Sequence, residues 1–142
     1  MSKTKLMMLL VVVCNSAMAA QWQMVTSNKS NTIYIDPASI TKKGTLVNAM
    51  NLYDFKIVDN TRTFNSLIAS IDYDCKEKRT RMLSVVTYSE NMGRGNILTQ
   101  ELEPKDWTPV QPGGLGEVAQ KNACENQSAG DDPKVLGGGY RP

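Results

Sequence analysis

Histidine is absent from the 142-residue chain. Without imidazole the usual serine and cysteine triads cannot be assembled, and a haem or transition-metal role through histidine is excluded. A Ser–Lys dyad stays formally open, but no S-x-x-K pattern sits on a helix. Gly93-x-Gly95 is followed by no helical pattern, so it is not a dinucleotide fingerprint. Asp131-Asp132 lacks the closely spaced oxygens of a calcium loop. No cofactor, no metal and no catalytic residue is therefore expected, and the chain reads as a non-enzyme. Internal repeats are also missing.

The chain has a single long apolar run, Leu6 to Val13, far short of the about 20 residues that a membrane-spanning helix needs. Lys3 and Lys5 precede it, and Ala17-Met18-Ala19 follows with small residues where a signal peptidase reads. A basic start, a short apolar stretch and an A-x-A exit make a secretory signal peptide over residues 1–19. The mature chain then begins at Ala20 and is exported to the periplasm or the cell surface, with no transmembrane segment. Cys14 offers one alternative, since lipoprotein signals acylate a cysteine in this place. Val13 is a poor residue immediately before such a site, and lipidation is the less favoured reading.

Removing residues 1–19 leaves 142 − 19 = 123 residues, enough for one domain with a modest core. It also removes two of the 16 basic residues, so 14 basic residues balance 14 acidic ones. A neutral chain lacks the sustained positive surface that nucleic acid demands, and no nucleic-acid partner is expected. Of three cysteines, only Cys75 and Cys124 remain. In an oxidising compartment a lone pair reads as one structural disulfide, and its wide spacing excludes a CxxC redox pair. The closed loop of 124 − 75 = 49 residues makes such a bond worth roughly 4 kcal/mol at most.

The mature chain is a series of short strands and then one helix. Gln21–Ser27, Thr32–Asp36 and Thr45–Phe55 carry β-branched, aromatic and alternating apolar residues, with turns at 28–31 and 42–44. Between Ser66 and Cys75, residues Leu67, Ala69, Ile71 and Tyr73 alternate with Ser66, Ser70, Asp72 and Asp74, with Ile68 the only exception, which predicts a half-buried strand with Cys75 on its buried face. Thr80–Ser89 returns as the second strand of a hairpin, and Asn96–Glu101 is the last short strand. Pro109, Pro112, Gly113 and Gly114 break any strand after Trp107. Leu115, Val118, Ala119 and Ala123 then fall at helical spacing, with Cys124 as a fraying last turn off that apolar stripe. Residues 126–142 hold almost no apolar side chain and are expected to be a disordered tail after a domain of residues 20–125. The fold class is α+β: an antiparallel sheet of about six strands packed by a C-terminal helix, with a disulfide joining the two.

Two groups of charges stand out. Asp72 and Asp74 share one strand face. In a cleft such a pair can do acid–base work, whereas on an open face both are simply solvated, and the solvated reading is expected. Lys76, Lys78, Arg79 and Arg81 crowd one hairpin end. The plain reading is a solvated turn whose cations guard strand edges. The functional reading is a docking patch for an acidic partner such as a sulfated glycan or a plasma protein.

Several segments together carry a family likeness. Tyr34-Ile35-Asp36-Pro37-Ala38-Ser39-Ile40, Asp72-Tyr73-Asp74-Cys75 with basic residues after it, Tyr88-Ser89 with Met92-Gly93-Arg94-Gly95, and Trp107-Thr108-Pro109-Val110-Gln111-Pro112-Gly113 with the late Cys124 occur in order. This set resembles the surface-adhesin protein E family from about Trp22 to Cys124. The resemblance implies a small secreted bacterial envelope domain whose disulfide joins sheet to helix. It further implies an adhesin that binds host extracellular-matrix or plasma proteins. A periplasmic structural or stress-related protein without a host ligand is the alternative, and a homodimer stays open. The adhesin form is usually a lipoprotein, whereas this signal lacks a good acylation site. Intact-mass measurement of the exported protein is expected to give a chain starting at Ala20; a diacylglycerol-modified Cys14 would contradict that reading.

Overall fold

The computed structural model describes residues 19–56 and 62–126. The expected signal peptide, apart from Ala19, and the expected tail, apart from Asn126, lie outside the described residues. Eight strands and one helix follow in order: β1 Gln23–Ser27, β2 Asn31–Ile35, β3 Thr41–Lys43, β4 Leu46–Phe55, β5 Ser66–Asp74, β6 Arg79–Tyr88, β7 Ile97–Glu101, β8 Thr108–Pro109 and α1 Leu115–Glu125. All pairings are antiparallel, in the order β1-β2-β4-β5-β6-β7, with β3 beside β4 and β8 beside β6.

Cross-strand register assigns every side chain to one of two faces. Ile35 faces Asn51, Asn51 faces Ala69, and Ala49 faces Ile71, while Val47 faces Tyr73. These residues form the buried core face, and Ala123 of α1 packs into it. The helix lies over β1, β2, β4 and β5. Its buried residues are Ala119, Gln120 and Ala123, whereas Val118 is 43% exposed. The inward stripe is thus rotated from the apolar one expected: Val118 turns out and the polar Gln120 turns in. Two alanines let the helix backbone approach the sheet. Gln120 meets its burial by donating from Nε2 to the backbone carbonyls of Asp74 (3.0 Å) and Arg79 (3.5 Å). Within the core, Tyr73 Oη donates to Asn51 Oδ1 at 3.0 Å. Burial pushes the Tyr53 phenol up to about 12, and that of Tyr73 well above its usual value.

Cys75 and Cys124 form the expected disulfide, with Cα atoms 6.0 Å apart. Cys124 stands inside the last turn of α1, which runs on to Glu125 rather than fraying. The bond fastens the helix end to the residue just after β5.

Two short strands were not visible in the residue pattern. Thr41–Lys43 lies in the region read as a turn, yet it pairs with Leu46–Asn48, so the tight reversal falls at Gly44. Thr108–Pro109 pairs with Thr80–Arg79 despite its proline. Proline is tolerated there because β8 is an edge strand, where a missing N–H breaks no inner ladder.

No α-helix among the described residues covers the other sheet face, and its two ends differ. At one end Leu52 is fully buried and sits opposite Ile68. A 3-10 turn at Asn91–Gly93 covers them. Gly93 has φ +67°, and a Cβ there would lie 2.8 Å from Ile68 Cδ1, so both conformation and space call for glycine. Met92 N–H donates to Asp54 (2.7 Å) and Gly93 N–H to Ser66 (2.9 Å), pinning the turn to the sheet. The opposite end is polar.

Replacing Cys75 and Cys124 together by alanine is expected to lower unfolding free energy by about 2–5 kcal/mol. Urea titration of the oxidised wild type and the double variant measures it. Two freely alkylatable thiols in the native wild-type protein would contradict the bond.

Candidate functional site

Arg79 and Arg81 lie two residues apart on β6, so both project from the face away from α1. Register sets Asp74 opposite Arg79 and Asp72 opposite Arg81. The charges join across the strands. Arg79 Nε reaches Asp74 Oδ2 at 3.0 Å, and Arg81 donates to Asp72 Oδ2 from Nε (3.1 Å) and Nη2 (3.0 Å). Trp107, delivered by the segment that leads into β8, lies against both cations. Its ring centroid is 4.8 Å from the Arg79 guanidinium carbon and 4.6 Å from that of Arg81.

The solvated reading of Asp72 and Asp74 is overturned. Their exposures are 8% and 4%. The arginines and the indole cover this end of the sheet, and ion pairing offsets the cost of taking carboxylates from water. Asp72 also accepts from Asn48 Nδ2 at 2.9 Å on Oδ1. Asp74 accepts the Glu77 N–H at 3.0 Å, within the β5–β6 turn. That backbone hydrogen bond is the largest influence holding the Asp74 carboxyl below its ordinary value. Burial opposes it, and the Arg79 hydrogen bond and charge add to it. Each carboxylate is therefore held by an arginine.

The four basic residues singled out in the sequence divide into two kinds. Arg79 and Arg81 are partly buried and committed to aspartates and Trp107. Lys76 and Lys78 are exposed on the turn, and neither has an ion-pair partner among the described residues. Lys78 holds a left-handed backbone, φ 52°, and its carbonyl accepts the Val110 N–H at 3.0 Å. The turn is therefore tied to the segment before α1 as well as to the disulfide.

Beside the Asp72–Arg81 pair lies a trough of about 480 Å³ lined by Thr41, Lys43, Leu46, Asn48, Asp72, Arg81 and Leu83. Leu83 is the extra residue of a bulge: Ser84 pairs with Ser70 and Met82 with Ile71. Residue pattern alone did not single out Thr41 or Lys43, because β3 is too short to show a period, nor Asn48, a polar residue within β4. Trp107 entered only through the family likeness. A second cavity of about 480 Å³ runs between Lys78, Val110 and Pro112 on one side and Gln120, Lys121 and Cys124 on the other. No group of three metal-ligating side chains occurs among the described residues. No helix among them is long and apolar enough to cross a membrane.

The sequence profile of the surface-adhesin protein E family matches residues 22–125. Solved structures of Haemophilus influenzae protein E have a similar fold. One is 14% identical with a TM-score of 0.54, covering 76% of this chain and 86% of that one. A second crystal form is 14% identical at 0.53, covering 78% and 97%. Protein E from non-typeable Haemophilus influenzae is 16% identical at 0.50, covering 84% and 88%. No curated protein matches the chain.

The folded Asp74 carboxyl titrates below its ordinary value of 3.8, so its stabilisation is fully present above that pH and fades as pH falls through the lowered folded value. Asp74→Asn is expected to be less stable than wild type at neutral pH. Its stability should also fall less steeply below about pH 4, where carboxyls ordinarily titrate. Thermal unfolding of both proteins across the acid range checks this; parallel curves would contradict it.

Proposed function

The chain belongs to the surface-adhesin protein E family, and from that premise we propose that it is an exported, non-enzymatic module that binds host extracellular-matrix or plasma proteins through the β5–β6 turn. The observation that carries this reading is the division of charge at that turn. Lys76 and Lys78 are exposed, while Arg79 and Arg81 are held by Asp74, Asp72 and Trp107. The lysines supply the charge that an acidic partner meets, and the arginines keep the turn in shape. The disulfide on one side and the Lys78–Val110 hydrogen bond on the other fix the turn before binding, so little ordering entropy is lost on docking.

Two exposed cations cannot steer a partner beyond a Debye length of about 8 Å at physiological salt. The contact is therefore short-ranged, and its electrostatic part weakens with salt.

The test leaves both arginines in place, because reversing either would strand a buried aspartate. Wild type and the Lys76→Glu/Lys78→Glu variant are compared on immobilised laminin across salt concentrations. At low salt the variant is expected to bind about tenfold more weakly, from two exposed reversals at roughly 0.7 kcal/mol each. The gap should close as salt rises. Equal binding at every salt would remove the turn from the mechanism. A wild type that binds no matrix or plasma protein would favour the periplasmic structural role.

A further inference from the structure

We propose that the trough between β3, β4 and the Asp72–Arg81 pair is a subsite for an anionic sugar residue, a pyranose carrying a carboxylate. The inference stands apart from the reading of the Lys76–Lys78 turn, because the trough shares neither lysine. Its volume of about 480 Å³ falls within the roughly 300–1,000 Å³ of small-molecule sites.

Its lining matches the three demands of such a ring. Leu46 and Leu83 offer apolar surface to the C–H face of the sugar. Thr41, Asn48 and Asp72 offer hydroxyl, amide and carboxylate groups to ring hydroxyls. Lys43 offers positive charge to a carboxylate, and Arg81, whose charge is balanced by Asp72, offers a further N–H donor. Lys43 has no ion-pair partner among the described residues. Arg81 spends Nε and Nη2 on Asp72 and leaves Nη1 without a carboxylate. Asp72 is neutralised by that pairing, so it does not repel an incoming anion.

The polar groups are also fixed in advance. Asn48 Nδ2 lies within reach of Ser70 Oγ (3.1 Å), the Ile71 carbonyl (3.4 Å) and Asp72 Oδ1 (2.9 Å). Arg81 is held between Asp72 and Trp107. Groups carried on strands and locked by such bonds bind with little loss of freedom. A bare carboxylate would use Lys43 and Arg81 and leave the Thr41 hydroxyl and the two leucines without partners, which favours a sugar over an acidic peptide side chain.

The test follows amide shifts of the isotopically labelled protein during titration with glucuronate, glucose or acetate at constant ionic strength. Glucuronate is expected to move the amides of Thr41, Lys43, Asn48 and Arg81 saturably, with glucose and acetate both weaker. Lys43→Gln, an exposed change on β3 that leaves the core untouched, is expected to raise the Kd for glucuronate about fivefold. The Lys76→Glu/Lys78→Glu variant should keep the wild-type Kd, so failure of the turn and failure of the trough are separately visible. Acetate matching glucuronate would reduce the trough to a plain anion contact and overturn the proposal. Absent or scattered shifts, or an unchanged Kd in Lys43→Gln, would overturn it as well.

Discussion

The Cys75–Cys124 bond holds a thin helix onto a broad sheet, and much else depends on it. Helix α1 buries only Ala119, Gln120 and Ala123. Methyl-sized contacts stabilise by about 0.8 kcal/mol per carbon, so two alanines alone would hold such a helix weakly. The covalent clasp adds what burial does not. Gln120, through the Asp74 and Arg79 carbonyls, sets the rotation of the helix above the same strand ends. The clasp keeps Ala123 against the core face formed by Ile35, Val47, Ala49, Ala69, Ile71 and Tyr73.

One helix covers one face, so the second face must satisfy itself. It does so in two ways along the same strands. Where β5 begins, Leu52 and Ile68 are roofed by the 3-10 turn at Asn91–Gly93. Where β5 ends, the face carries Asp72 and Asp74, and cross-strand arginines and Trp107 roof them. A buried carboxylate is tolerable only with a partner, and the β5–β6 register supplies one for each. The polar end is thus a rigid array of charges, not a loose surface.

That rigidity comes from cross-strand pairing on the β5–β6 scaffold. At 14–16% identity to Haemophilus influenzae protein E the shared property is the fold. The turn and the trough both sit at the polar end, braced by the same strands. A single scaffold therefore offers exposed charge and a shaped recess side by side.

Local pattern was enough for the larger elements. Alternation from Leu67 to Tyr73, broken only at Ile68, marked β5, the close return marked the hairpin with β6, and two remaining cysteines marked the bond. Those signals are legible because a half-buried strand repeats every two residues and a lone cysteine pair has one partner choice. Three features were decided only in the folded molecule. The short strands β3 and β8 have no period to read and exist because a neighbour's edge is free. Val118 rather than Gln120 faces water because the rotation of α1 is set by the disulfide and the carbonyls beneath it. Asp72 and Asp74 are buried because arginines stand opposite them and an indole from beyond β7 closes over both, and alternation along one strand carries no information about what will lie across it.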